Sequence, residues 1–144
     1  MNIKMDTSGF VSALRKKAGE IQAATRPAAQ AGAQVIYDQA RLNVPVSSGA
    51  HFFYGTSYQK TGKRYFFSPG NLRNSIYQVY SKSNSGENKA TYHISWNHTK
   101  APYGFMVEFG TSRAPAHPFL GPAIHDKQDV AAAAMKTKFL GLVK

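Results

Sequence analysis

Seven of the 23 residues from Ala101 to Ala123, APYGFMVEFGTSRAPAHPFLGPA, are proline or glycine. Proline presets φ and removes a backbone donor, and glycine opens φ > 0. A segment punctuated this way reads as a series of set bends that hold a few large side chains in place. Tyr103, Phe105, Val107, Phe109 and Phe119 are the expected anchors. The apolar run Tyr103 to Phe109 carries one charge, Glu108. Its residues fit a short helix or a third strand, and periodicity does not decide between them. The rest of the stretch reads as an extended loop through Pro118.

On either side of this stretch the patterning is regular. Residues 8 to 43 place Phe10, Leu14, Ala18, Ile21, Ala24, Ala28, Ala31, Val35 and Leu42 on one helical face, with Ser8 as N-cap. Pro27 predicts a kink or break at Thr25–Arg26, with a new helix starting near Pro27. The small residues Ala28, Ala29, Ala31, Gly32 and Ala33 permit close approach of another element. The helix ends before Pro45, because the residue ahead of a proline is pushed out of the α region.

Residues 50 to 69 hold seven aromatics: Phe52, Phe53, Tyr54, Tyr58, Tyr65, Phe66 and Phe67. Both ends are aromatic, and the middle is polar with Gly55 and Gly62 at its edges. This predicts a hairpin or flap with a polar tip. Its aromatic surface either folds back on the core or packs on a neighbouring subunit or partner. Asn71 to Ser75 reads as a helical turn capped by Asn71. Residues 76–81 and 91–97 alternate as a strand pair across the polar link Ser83–Asn88, with Tyr92, Ile94 and Trp96 on one face. From Pro122 onward, Ile124, Asp126, Val130, Ala131, Ala134, Met135, Lys138, Phe139 and Leu142 recur at helical spacing. Pro122 and Asp126 suit the N-terminal end of that helix, and Lys136 and Lys138 its C-terminal end. The fold class is therefore α+β, one domain over 1–144: a kinked N-terminal helix or two helices, a small antiparallel sheet with a long aromatic hairpin, and a C-terminal helix.

The chain has no cysteine, which excludes disulfides and thiolate metal sites. No apolar run reaches the roughly 18 residues that a membrane span needs. The first residues show no apolar signal core, so use without secretion machinery is expected. The net charge is +11, from 18 Lys and Arg against 7 Asp and Glu. That excess suits either a solvated basic surface or contact with DNA or an acidic partner. Its clusters are Arg15-Lys16-Lys17 and Lys60 to Arg64, neither of them an extended nucleic-acid arm. No recognised DNA-reading motif is present.

Catalysis needs a nucleophile with a base, paired carboxylates, or a metal set. Of the acids, only Asp126 and Asp129 share a helix face, and there they read as helix N-terminal charge. His93, His98 and His117 could meet near a strand end, but no histidine pair has metal-ligand helical spacing, and no phosphate-cradling glycine loop occurs. The expectation is a protein without catalytic residues, cofactor or metal. Glu108 is either an outward strand residue or a paired carboxylate, with Arg113, Arg73 or a basic residue of a neighbouring subunit as its partner.

Three pieces then stand out together: Asn43-Val44-Pro45-Val46-Ser47-Ser48-Gly49; Gly70-Asn71-Leu72-Arg73-Asn74-Ser75-Ile76; and Ala101-Pro102-Tyr103-Gly104, Val107-Glu108-Phe109-Gly110-Thr111-Ser112 and Pro115 to Ala123. In this order they resemble the neck proteins of long-tailed bacteriophages, the small head–tail joining or tail-completion proteins. In that family the first two pieces are nearly fused, whereas here the residues 50–69 separate them, so the resemblance covers most of the chain except that insertion. The resemblance implies a structural virion protein that joins the tail to the DNA-filled head. It would work by binding, without turnover. It would form a homo-oligomeric ring, a hexamer or dodecamer, and meet other neck and tail proteins such as a head-closure protein, a tail terminator or a tail tube. It would be located in the virion neck, after assembly in the host cytoplasm, with no membrane contact. Closed rings rest on head-to-tail contacts between complementary patches. The residues assigned to those patches are Phe52, Phe53, Tyr65, Phe66, Phe67, Glu108, Arg113, His117 and Phe119, with Lys60, Lys63 and Arg64 facing a DNA channel. Glu108 matches the glutamate of the family's Glu-Phe-Gly-Thr motif, which implies a structural role for it. The alternative function is a basic nucleic-acid-binding protein without sequence preference, with bases stacking on aromatics set among cations.

Overall fold

The structure, a computed structural model, describes residues 3–144. It is α+β, with nine elements in the order α1 (Ser8–Asn43), β1 (His51–Tyr54), α2 (Tyr58–Thr61), β2 (Arg64–Phe67), α3 (Asn71–Ser75), β3 (Ile76–Tyr80), β4 (Tyr92–Trp96), α4 (Gly104–Phe109) and α5 (Leu120–Leu142). Helices α1 and α5 pack along one another, and the β3–β4 pair lies against α1.

Helix α1 runs unbroken through Pro27, which corrects the expected break at Thr25–Arg26. Proline removes one N–H and crowds one carbonyl. Ala24 and Ala28, one turn apart on either side of it, are both buried and hold the helix to the body. The buried positions are Ala24, Ala28, Gly32, Ile36 and Ala40, a strict step of four. This face is narrower than the one read from the sequence: Phe10, Leu14, Ile21 and Leu42 are exposed. The N-cap is Thr7, not Ser8, and the Asp6 carboxylate accepts the Ser8 N–H at 2.9 Å. Hydrogen bonding from Ser8, by its side chain first and its backbone N–H second, holds the Asp6 carboxyl below the usual carboxylate range.

Small residues set the spacing of α1 and α5. A Cβ on Gly32 would lie 2.5 Å from Met135 Cγ and 3.2 Å from the Ala131 carbonyl. Only glycine permits that approach. In α5 the inward positions are Ala123 and Ala131, while Ile124, Val130 and Leu142 are exposed. Those three share the helical spacing read from the sequence, but the helix turns its small side chains inward.

The core gathers Ile36, Ala40 and Val44 from the end of α1, Leu72, Ile76 and Trp96, then Ala101, Phe119, Ala123 and Ala131. Trp96 is its centre. Its ring meets Phe119 edge-on at 5.6 Å, and Gly104 lies against it so closely that a Cβ there would sit 2.3 Å from Nε1. Of the anchors expected in the punctuated stretch, Phe119 is fully buried, Tyr103 and Val107 are half-buried, and Phe105 and Phe109 are exposed. Phe105 and Phe109 pair with each other instead, at 4.7 Å on the outer side of α4. The segment Gly104–Phe109 is helix rather than strand.

Two antiparallel hairpins complete the fold. β3–β4 pairs Ile76 with Trp96 through Tyr80 with Tyr92. The ladder continues beyond the strands: the Ser81 N–H donates to the Thr91 carbonyl, and the Asn97 N–H to the Ser75 carbonyl. β1–β2 pairs His51 with Phe67 through Tyr54 with Arg64. The expected polar tip is present, and it carries the short helix α2, closed by Gly62 at φ +67°.

Candidate docking surface

Strand alternation divides the β1–β2 hairpin into two faces. His51, Phe53, Tyr65 and Phe67 point one way; Phe52, Tyr54, Arg64 and Phe66 point the other. The first face docks on Tyr103, whose ring lies 4.8 Å from Phe67, 5.7 Å from His51 and 6.1 Å from Phe53. Phe67 is 9% exposed, whereas Phe66, its neighbour on the opposite face, is 59% exposed. One face of the hairpin thus folds back on the body of the chain through Tyr103, and the other is left open.

The open face is ordered rather than a loose scatter of rings. Phe52 and Phe66 meet edge-on at 5.4 Å, and the Arg64 guanidinium sits 4.4 Å over the Phe52 ring. Tyr54 meets Tyr58 of α2 edge-on at 4.7 Å. At the edge, the Lys63 ammonium lies 5.2 Å over Tyr65. Aromatic pairs of this geometry contribute about 0.5–1.5 kcal/mol beyond their area, so the rings pre-order one another. Lys60, Lys63 and Arg64 are all exposed beside them. Cations held on aromatic faces make a surface that can take an apolar, acidic or stacked partner.

The root of this hairpin is where the separated motifs meet. A pocket of about 270 Å³ is lined by Pro45 and Val46, by Gly70 and Asn71, and by Tyr103 and Val107, so each motif contributes to it. Asn71 is not the cap of α3; Gly70, at φ +78°, takes that position. The Asn71 amide reaches away instead, donating to the Lys100 carbonyl at 2.8 Å and to the Tyr103 hydroxyl at 3.2 Å. It thereby fixes the tyrosine on which the hairpin rests.

Glu108 is buried, and neither Arg113 nor Arg73 pairs with it; both expected pairings and the outward strand position are corrected. Its carboxylate accepts the N–H groups of Phe119 at 2.7 Å, Leu120 at 3.1 Å and Gly121 at 3.0 Å. These are the N-cap and the first two positions of α5; the third is Pro122, which has no N–H. One side chain and one proline thus settle every unpaired donor of the first turn, and the helix dipole favours the negative charge there. Glu108 and Phe119, both assigned to an interface from the sequence, are spent inside the subunit. Between them the chain makes a tight hook. The Thr111 hydroxyl accepts the Arg113 and Ala114 N–H groups, and the His117 N–H donates to the Val107 carbonyl at 2.7 Å. Gly110 is at φ +76°, where a Cβ would lie 2.7 Å from the Ala116 nitrogen. Arg113 and His117 stand exposed on this hook.

Of the interface residues read from the sequence, Phe52, Phe66, Tyr65, Arg113 and His117 are exposed, Phe53 is half-buried, and Phe67, Glu108 and Phe119 are buried. Two exposed features escaped that reading: the Phe105–Phe109 pair and the apolar stripe of the first half of α1. Among the described residues no group of three His, Cys, Asp or Glu side chains is placed to hold a metal ion, and no helix is long and apolar enough to cross a membrane. No family model, curated protein or solved structure matches this chain.

Proposed function

We propose that this chain is a structural virion protein of a long-tailed bacteriophage, a component of the neck ring that joins the tail to the DNA-filled head. The observation that carries the reading is the convergence at the hairpin root. Three motifs resembling the neck family, far apart in sequence, line one pocket and support an aromatic hairpin whose outer face is uncovered. A core-supported aromatic face of this kind suits binding by a rigid anchor. The outer face would meet a neighbouring subunit or another neck or tail protein, and Arg113 and His117 stand exposed on a separate hook. Negative-stain microscopy of lysates from a phage deleted for this gene tests the reading. Filled heads and finished tails lying unjoined are the expected outcome, and intact particles overturn it.

Nucleic-acid contact is a second reading, favoured by the guanidinium and ammonium groups held over Phe52 and Tyr65. In a neck ring this face would touch packaged DNA without reading its sequence. Salt titration of DNA binding by the purified chain tests it. Replacing Lys60, Lys63 and Arg64 by alanine would reduce the slope of log K against log salt by about one for each phosphate contact removed.

A further inference from the structure

Two apolar surfaces outside the hairpin are left without a partner, and they match. The first is the leading part of α1. Phe10, Leu14, Ala18, Ile21, Ala24, Ala28 and Gly32 follow one another in steps of four, four, three, three, four and four, so they share one face. From Ala24 onward that face is buried, but every residue from Ser8 to Gly19 is exposed, with Phe10 at 67% and Leu14 at 53%. Residues 8–20 form an arm about 20 Å long at 1.5 Å per residue, and Ile21, further along the same face, already lines the second surface.

The second surface is a groove between α1, α5 and the β4 side of the second hairpin. Two adjoining depressions of about 480 and 460 Å³ form it, sharing Ala29, Ala90 and Met135. Ala29 and Ala33 make its floor, with Ile124 and Met135 on one wall and Ala90 and Ile94 on the other. Along α1 it extends from Ile21 to Ile36, about 24 Å, which is long enough to take the arm.

We infer that the arm of one copy of this chain lies in the groove of another. The arm cannot occupy its own groove, because arm and groove floor belong to one continuous helix. An amphipathic helix laid in an apolar groove is a standard recognition mode, and here each copy has one arm and one groove long enough to receive it. Thirteen helical residues would cover on the order of 500 Å² on each side, about the 1,000 Å² in total that a specific interface needs. A copy that gives one arm and receives another makes two such contacts. Because arm and groove are different surfaces, repeated transfer to the next copy builds a head-to-tail assembly, and closure makes a ring. The inference rests on the proposal of a self-associating subunit and names the contact that would join its copies.

The absence of native cysteine makes the test direct. One preparation of the full chain carries Leu14→Cys and another Ala90→Cys. They are oxidised separately and as a mixture, then resolved without reductant. A disulfide-linked dimer formed at least tenfold faster in the mixture than in either preparation alone is the expected result. Equal rates overturn the inference, as does faster linkage of Leu14→Cys to itself, which would pair arm with arm. Sedimentation provides a second reading: Leu14→Asp, at an exposed position, is expected to raise the concentration needed for association at least tenfold, with an unchanged melting temperature at dilutions where both chains are dissociated. Unchanged association overturns the inference. Neither measurement depends on virion joining. Linkage together with intact particles from the deleted phage would leave the arm contact standing and remove the neck reading; unjoined heads and tails without linkage would do the reverse.

Discussion

The two hairpins have nearly the same size and opposite fates. β3–β4 carries its pairing past both strand ends and presents Ile76, Ile94 and Trp96 to the helices. β1–β2 has four pairs, a glycine-closed tip and, on its inner face, one buried residue, Phe67. A two-stranded hairpin alone is marginal in water, so each needs a support. The first lies against α1. The second leans on Tyr103 with one face and stiffens the other with its own rings. The difference separates a hairpin built as core from one built to be covered by something else.

The sharpest way to break that contrast is to remove Trp96 from β4. Trp96→Ala should cost about 3–5 kcal/mol, since it empties the centre of the core. Urea or thermal unfolding of the purified chain measures it. Glu108→Ala should follow, at about 3 kcal/mol, because three N–H groups at the start of α5 lose a charged acceptor. If Glu108→Ala proved neutral, the carboxylate would not be what holds the start of α5. Phe67→Ala should fall next, at about 2–4 kcal/mol if the hairpin unfolds together with the core. Hydrogen exchange refines the comparison: the 51–67 amides should lose protection in Phe67→Ala while those of α1 and α5 keep theirs.

The sequence made some of this legible and hid the rest for definable reasons. β3, β4 and the aromatic hairpin were visible because alternation and turn residues agree over those segments. The end of α1 was visible from Pro45. Pro27 does not break the helix, because helix propensity is local and the burial of Ala24 and Ala28 on either side of it is not. Gly104–Phe109 is too short for period to distinguish helix from strand. Glu108 left a usable signal. α5 begins Phe-Leu-Gly-Pro with no Ser, Thr, Asp or Asn to cap it, and Glu108 is the one acid between Glu87 and Asp126. A helix start without its own cap asks for a distant one. The exposed arm was hidden because apolar periodicity shows which face is apolar, not how far along the helix a partner extends.

The smallest effect on stability should come from the outer face of the first hairpin, and it is the one that bears most on function. Phe52→Ser with Phe66→Ser removes two rings that touch each other and little of the core. The lost edge-on pair costs about 0.5–1.5 kcal/mol, partly offset because less apolar surface faces water in the folded state. Melting temperature should therefore shift by only a few degrees, far less than for Trp96→Ala. If the outer face is a docking surface, the same double variant should fail to restore joined particles to the deleted phage. If it restores them fully, the face has no partner in the virion, and its rings serve only to keep a marginal hairpin folded.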